Sequence, residues 1–253
     1  MPAMDPVHAW VINLDRSPER LARIRAQLER LGLPWTRLPA VDARTLTAQQ
    51  RAALDERAYE RKHGKTPAPG ELGCYLSHVA AMQALLASPH RFGLVLEDDV
   101  ILQDSLPAVL RGLAAHPDRW DVVKLSAVHS GTPVPYLEVA PGHRLAVMLS
   151  RCTGSSAYLV NRRAAEVYAR ELLPMSLPYD HVVDQGWRFG LKFRLVTPTP
   201  CGHDDRIGTT IEAAGTRKFP WPRRLPAYRY RLGNELRRVR YGLTQALREK
   251  LGG

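Results

Sequence analysis

No stretch of the chain approaches the roughly 18 to 20 consecutive apolar residues needed to cross a membrane, so no spanning segment is expected. The first residues, MPAMDPVHAWVINL, lack a basic region ahead of an apolar one and run straight into a strand-like segment. That is not the form of a secretory signal, and the expectation is an intracellular protein. Cysteine is scarce: there are three, Cys74, Cys152 and Cys201, far apart. An odd number without metal-type spacing points to buried free thiols rather than a disulfide framework or a catalytic nucleophile. No GxGxxG follows the first strand-like segment and no GxxxxGK[ST] occurs anywhere, so Rossmann dinucleotide binding and P-loop chemistry lose most of their support. No HExxH or CxxC pair offers a zinc site, and no GxSxG elbow supports a hydrolase. Internal repeats and low-complexity segments are also missing.

What is present is a chain of 253 residues, 45% hydrophobic and 24% charged. That suffices for one large or two small globular domains. The net charge of +11 is uneven. From Arg217 onward nine arginines and two lysines face only Glu235 and Glu249, so the body before it is nearly neutral. The positive charge therefore belongs to the C-terminal segment.

His8 to Leu14 reads as a short strand, with Val7, Ala9, Trp10, Val11 and Ile12 apolar. Ser17, Pro18 and Glu19 then supply an N-cap, a first helical position and a first-turn acid. Leu21, Ile24, Leu28 and Leu31 continue at helical spacing until Gly32. A strand is expected over Leu33 to Val41, a polar helix over Thr47 to Arg61 and a loop over Lys62 to Pro69. Gly70 to Ser88 reads as an amphipathic helix, with Leu72, Leu76, Val79, Gln83 and Leu86 on one face, Ser77 opposite and His78 at its edge. After residue 128 the pattern predicts an irregular hairpin (His129 to Arg144), strands at Leu145 to Leu149, Ala157 to Val160 and Leu191 to Val196, and helices at Arg162 to Leu172 and Asp180 to Phe189. Strands alternating with helices predict an α/β fold with a mostly parallel, Rossmann-like sheet flanked by helices.

The segment that organises this pattern is FGLVLEDDVIL, Phe92 to Leu102. A buried-type apolar strand ends in three successive acids, Glu97, Asp98 and Asp99. Carboxylates crowded beside a dry core repel one another, a cost relieved by a divalent cation or a positive partner. In open α/β sheets the ligand crevice lies at the carboxyl ends of the strands, which is where these acids stand. Clustered hard oxygen ligands suit Mg²⁺ or Mn²⁺ holding a phosphate; a solvated acidic turn is the plainer alternative.

VINLDRSPER (Val11 to Arg20), GELGCYLSH (Gly70 to His78) and LVLEDDV (Leu94 to Val100), in that order and separation, resemble glycosyltransferase family 25. Gly154 to Tyr158 and Pro178-Tyr179-Asp180 add weaker matches, so the resemblance covers roughly residues 7 to 185. The resemblance implies a GT-A type α/β domain that moves a sugar, commonly galactose, from a UDP-sugar donor with the help of Mn²⁺ or Mg²⁺. The acidic triplet would be its DxD-like motif, with Asp99 as direct metal ligand and Asp98 and Glu97 contacting metal-bound water or the ribose. Asn13, Leu14 and Arg16 would lie near the nucleotide, Arg20 at a phosphate oxygen, and Ser77 and His78 at the nucleotide or behind the triplet. Inverting transfer needs one base separate from the metal cluster; Asp180 is the first candidate and Asp184 the second. His203 is a further metal or phosphate contact by analogy. The family's tryptophan shortly after the Ser-His pair is replaced here by Val79-Ala80-Ala81-Met82, which bears on the choice of sugar.

The tail interleaves Phe219, Trp221, Tyr228, Tyr230 and Tyr241 with basic residues, and from Leu232 its leucines recur every three or four positions. It reads as a basic amphipathic helix that lies on an anionic membrane surface or packs on the body. Residues 1–216 are thus expected to form the transferase domain and 217–253 a basic extension. The combined expectation is a cytoplasmic enzyme, peripheral to the inner membrane, that extends lipopolysaccharide or another lipid-linked glycan. The rival reading is a non-catalytic protein binding nucleic acid or a membrane surface through its tail, although no nucleic-acid module accompanies the charge.

Overall fold

The computed structural model describes residues 7–203 and 218–251. Its strands are β1 (Val7–Asn13), β2 (Trp35–Pro39), β3 (Phe92–Glu97), β4 (Val100–Leu102), β5 (Val122–Lys124), β6 (Pro133–Ala140), β7 (His143–Met148), β8 (Ala157–Asn161), β9 (Phe193–Thr197) and β10 (Cys201–His203). Its α-helices are α1 (Pro18–Arg30), α2 (Ala48–Ala52), α3 (Glu56–His63), α4 (Pro69–Ala87), α5 (Leu106–Ala115), α6 (Arg162–Glu171), α7 (Tyr179–Val183), α8 (Gly186–Phe189) and α9 (Leu225–Leu251). Eight strands form one sheet in the order β2-β1-β3-β8-β5-β9-β7-β6, and β4 pairs with β10 in a small separate ladder. Six of the eight run in one direction; β8 and β7 oppose them. The sheet is thus mostly parallel by strand direction, although each inverted strand makes antiparallel pairs on both sides.

Leu94, Val95 and Leu96 of β3 are all but inaccessible, because helices cover both faces of the sheet and an alternating polar face would have nowhere to go. One core lies between the sheet and α4, α6 and α7, around Trp10, Tyr75, Met82 and Tyr168. The other lies between the sheet and α1 and α5, around Ile24, Leu28, Leu110 and Trp120.

Three sequence expectations change. The polar helix over Thr47 to Arg61 is two helices, α2 and α3, interrupted where Leu54 bridges to Met175. The helix over Asp180 to Phe189 is likewise divided into α7 and α8 around Asp184 and Gln185. α4 has no polar face: Ser77, His78, Ala81, Met82 and Leu85 are buried together with Leu72 and Val79, while Gln83 is exposed. The periodicity was misleading because this helix is packed around most of its circumference, where small and aromatic residues serve as well as leucine. The irregular hairpin expected over His129 to Arg144 is formed by β6, eight residues long, and β7, with two bulges between them.

Helix α9 packs on α3, α8, β6 and β7. Its inward residues are Ala227, Asn234, Arg238, Gly242 and Gln245. They meet buried charges of the body. Arg194 of β9, fully buried, donates to Gln245 Oε1 at 2.9 Å and Glu249 Oε1 at 2.7 Å. Asp184 accepts from Arg238 at 2.8 and 2.9 Å. A buried charge without a partner is strongly destabilising, so the basic segment supplies groups that the body needs. No helix among the described residues is long and apolar enough to cross a membrane.

Candidate active site

β1 and β3 run side by side and end together, with Ile12 opposite Glu97. The chain then turns away in both places, and the two loops meet. Asn13, itself buried, donates from Nδ2 to Asp98 Oδ2 at 2.7 Å and to the Ser17 carbonyl at 2.9 Å. Its own Oδ1 accepts from Arg37 Nε at 3.0 Å. Arg20, one turn into α1, reaches back across the acidic turn. It lies 2.7 Å from Asp98 Oδ1 and 2.9 Å from Asp99 Oδ2. The residue expected at a phosphate oxygen is therefore spanning two carboxylates. Burial raises the Asp98 carboxyl above its usual range, and Asn13 and Arg20 pull against that rise.

α4 forms the opposite wall. Gly73 allows it to approach: a Cβ there would stand 2.6 Å from the Val41 carbonyl oxygen. Ser77 Oγ, next on that face, donates to Gly73 O at 2.7 Å and accepts from Val41 N at 2.9 Å. Ser77 thus fixes the helix to the loop after β2. His78 shares its Nε2 with Glu97 Oε1 at 3.2 Å and its Nδ1 with the Tyr158 hydroxyl at 3.1 Å. Tyr158 in turn is 2.9 Å from the Tyr179 hydroxyl, and the Tyr179 ring stacks on His78 with centroids 4.2 Å apart. Ser155 Oγ donates to Glu97 Oε1 at 3.5 Å. Glu97 is thus held by a chain of side chains from α4, β8 and α7: His78, Tyr158 and Tyr179.

Between these walls lies a cavity of about 90 Å³ lined by Leu14, Arg16, Arg20, Ser77, His78, Glu97 and Asp98, with Ile12, Val41 and Cys74. The structure therefore gathers seven of the eight residues expected at the nucleotide, and Asn13 stands beneath them as the support of Asp98. The volume is well short of the roughly 300 Å³ or more typical of a complete ligand pocket, so a nucleotide sugar can place only part of itself inside.

The two candidate bases are separated by environment. Asp180, at the start of α7, accepts from Gly154 N at 3.2 Å and has His181 Nε2 3.8 Å away, and its side chain is partly open. Asp184 is buried and engaged through both oxygens by Arg238. Burial lifts its carboxyl to about 6 while Arg238 pulls it down. The structure thus places Asp184 in a strut between α7 and α9, away from the cavity. The backbone of His203 stands opposite Val100, next to the acidic turn; its side chain, and Asp204 and Asp205, lie outside the described residues.

Cys74 is the residue that sequence reasoning missed. Its Sγ, a nitrogen of His78 and an oxygen of Glu97 lie within 4.8 Å of one another. Burial and the carboxylates of Glu97, Asp180 and Asp99 push its thiol up. Its place in Gly70 to His78, four residues before His78, was the available signal, since i and i+4 share a helix face. For a hard cation the donors at hand are the carboxylates of Glu97, Asp98 and Asp99, each already engaged: Glu97 by His78 and Ser155, Asp98 by Asn13 and Arg20, Asp99 by Arg20. A protonated thiol is a poor ligand for such an ion, so Cys74 adds nothing to that set.

A family model described as glycosyltransferase family 25 (LPS biosynthesis protein) matches residues 7–183. A glycosyltransferase 25 family member of Aedes aegypti is 35% identical over 97 residues, covering 37% of this chain and 16% of that protein. Procollagen galactosyltransferase 1 of Danio rerio is 27% identical over 180 residues, 68% of this chain and 30% of its own. Inactive glycosyltransferase 25 family member 3 of Mus musculus is 30% identical over 124 residues, 46% of this chain and 21% of its own. The chain spans less than a third of the length of each of these relatives.

Proposed function

The chain belongs to glycosyltransferase family 25, and from that premise we propose that it is a GT-A type transferase moving a hexose, galactose first, from a UDP-sugar to a glycan hydroxyl with inversion. The observation that supports this reading best is the convergence of Leu14, Arg16, Arg20, Ser77, His78, Glu97 and Asp98 on one cavity at the ends of β1 and β3.

In this reading the apolar wall of Ile12, Leu14 and Val41 takes the base of the nucleotide, and the ribose approaches Asp98. The diphosphate then lies over Asp99 and Glu97, the carboxylates that suit Mn²⁺ or Mg²⁺. Such an ion, when bound, offsets the charge that gathers on the departing UDP. Arg20 and Asn13 hold Asp98 and Asp99 in place beforehand, so the ligands need little rearrangement. His78 orients Glu97, and the Tyr158–Tyr179 pair fixes the imidazole ring. Asp180 accepts the proton of the acceptor hydroxyl as that oxygen attacks the anomeric carbon. Its bond from Gly154 N directs one oxygen and leaves the other for the acceptor. Residues 1–216 carry this chemistry in our reading. The acceptor is a glycan, of which a lipid-linked one such as lipooligosaccharide is the specific proposal, and the setting is the cytoplasmic face of a membrane.

A screen of UDP-hexoses with and without Mn²⁺ or Mg²⁺ tests the reading. Turnover of one donor that requires the ion and is abolished in Asp99→Ala supports it. Binding of UDP-sugars with no transfer or hydrolysis under any condition would favour a non-catalytic role, a reading to which the inactive mouse relative lends weight.

A further inference from the structure

Helix α9 is packed inside out. The residues it turns to the body are polar or small, whereas Leu232, Leu236, Val239, Leu243, Leu247 and Leu251 are between 42% and 86% exposed. With 100° per residue these six fall along one side of the helix, opposite Asn234, Arg238 and Gln245. Leu225, Tyr228 and the strongly exposed Trp221 extend the stripe at its start. A 27-residue helix spans about 40 Å, and a continuous apolar strip of that length is more than scattered surface leucines account for.

Charge identifies what covers it. Arg229, Arg237, Arg240, Arg248 and Lys250 are exposed along the helix, and Arg237, Arg240 and Arg248 make no ion pair among the described residues. They join Arg163, Lys192 and Trp187 in lining a groove of about 560 Å³ beside the stripe. The helix's two acids are both engaged with arginines, Glu235 by Arg238 and Glu249 by Arg119 and Arg194. A second copy of this chain would bring the same arginines against its own, which is repulsive. A surface that offers hydrocarbon and fixed negative charge together matches both features.

We propose that the outer face of α9 docks on an anionic lipid bilayer, the leucines entering the acyl boundary and the arginine groove receiving lipid phosphates. The helix lies in the plane of the interface. Its early turns are tied to the body: Arg231 donates to the His63 carbonyl at 2.7 Å, and the His63 ring meets that of His181, beside Asp180, at 5.1 Å. The proposal concerns adsorption alone and stands or falls independently of sugar transfer.

The test is co-sedimentation of the full chain with vesicles of phosphatidylcholine, pure or carrying about 30 mol% phosphatidylglycerol. Adsorption to the anionic vesicles only, weakening with added salt, is expected. Leu236→Ser/Leu243→Ser/Leu247→Ser and Arg237→Gln/Arg240→Gln/Arg248→Gln should each reduce partitioning by on the order of a hundredfold. Melting temperature and UDP-sugar hydrolysis should stay at wild-type values, which separates this result from failure of the transferase reading. In the unaltered chain, brominated anionic lipid should quench a fluorescence component that is missing in Trp221→Phe. A wild-type chain that stays in the supernatant, variants that partition like wild type, or leucine-dependent self-association in sedimentation velocity would each overturn the proposal.

Discussion

Asp180 and Asp184 are one helical turn apart, yet they have opposite fates. Asp180 keeps an open oxygen, whereas Asp184 is enclosed with Arg238. The sequence pattern at this point, acids at i and i+4 near a helix start, is symmetrical between them. What distinguishes them is a partner from a segment more than fifty residues later, which local spacing does not reveal. Asp180→Asn is expected to lower kcat by about 10² to 10⁴ with donor KM little changed, because the amide oxygen still accepts from Gly154 N; steady-state kinetics with varied donor checks this. The acidic triplet was legible because crowded carboxylates after an apolar strand have few physical uses. Arg20 was legible as a participant but not in its position: nothing in one sequence says that a guanidinium beside the acids binds them instead of a phosphate.

Among the elements, β1, α1 and β3 were read to within a few residues, since their caps and periods agree with their environment. α4 was found but its faces were misjudged, because burial on most sides leaves no polar stripe to read. Its contact with the loop after β2 depends on Gly73. Gly73→Ala would press a methyl against the Val41 carbonyl, and is expected to cost about 1–3 kcal/mol and to reduce activity, since His78 is carried on the same helix. Thermal melts and turnover measured together check this.

α3 and α7 meet through His63 and His181. Burial lowers His63 to about 3 and His181 to about 4, Asp180 opposing the fall at His181. An imidazole in the unfolded chain titrates near 6.5, so on acidification the unfolded state takes up these protons first. Their contribution to stability is complete above about 6.5 and is lost as the pH falls toward 4, on the order of 2 kcal/mol per ring by pH 5. Melting temperatures between pH 7.5 and 5 should decline accordingly, and His181→Asn should flatten the decline.

At the scale of the whole molecule, the division at residue 216 expected from charge is a boundary of composition, while the packing crosses it. The sequence showed where the positive charge lay but not that two of its side chains' partners, Asp184 and Arg194, are buried in the body. Asp184→Ala takes the buried carboxylate from Arg238 and leaves it only the half-exposed Glu235; this is expected to destabilise the protein by about 3 kcal/mol, readable by chemical denaturation. Removal of residues 218–253 should be worse, giving a chain that does not accumulate in folded form.

The two sides of α9 are thereby free to diverge. Changes to the outward leucines and arginines leave every buried partner intact, so relatives of this protein can retune where they settle, or abandon settling altogether, without relearning how to fold. Changes on the inward side have no such latitude.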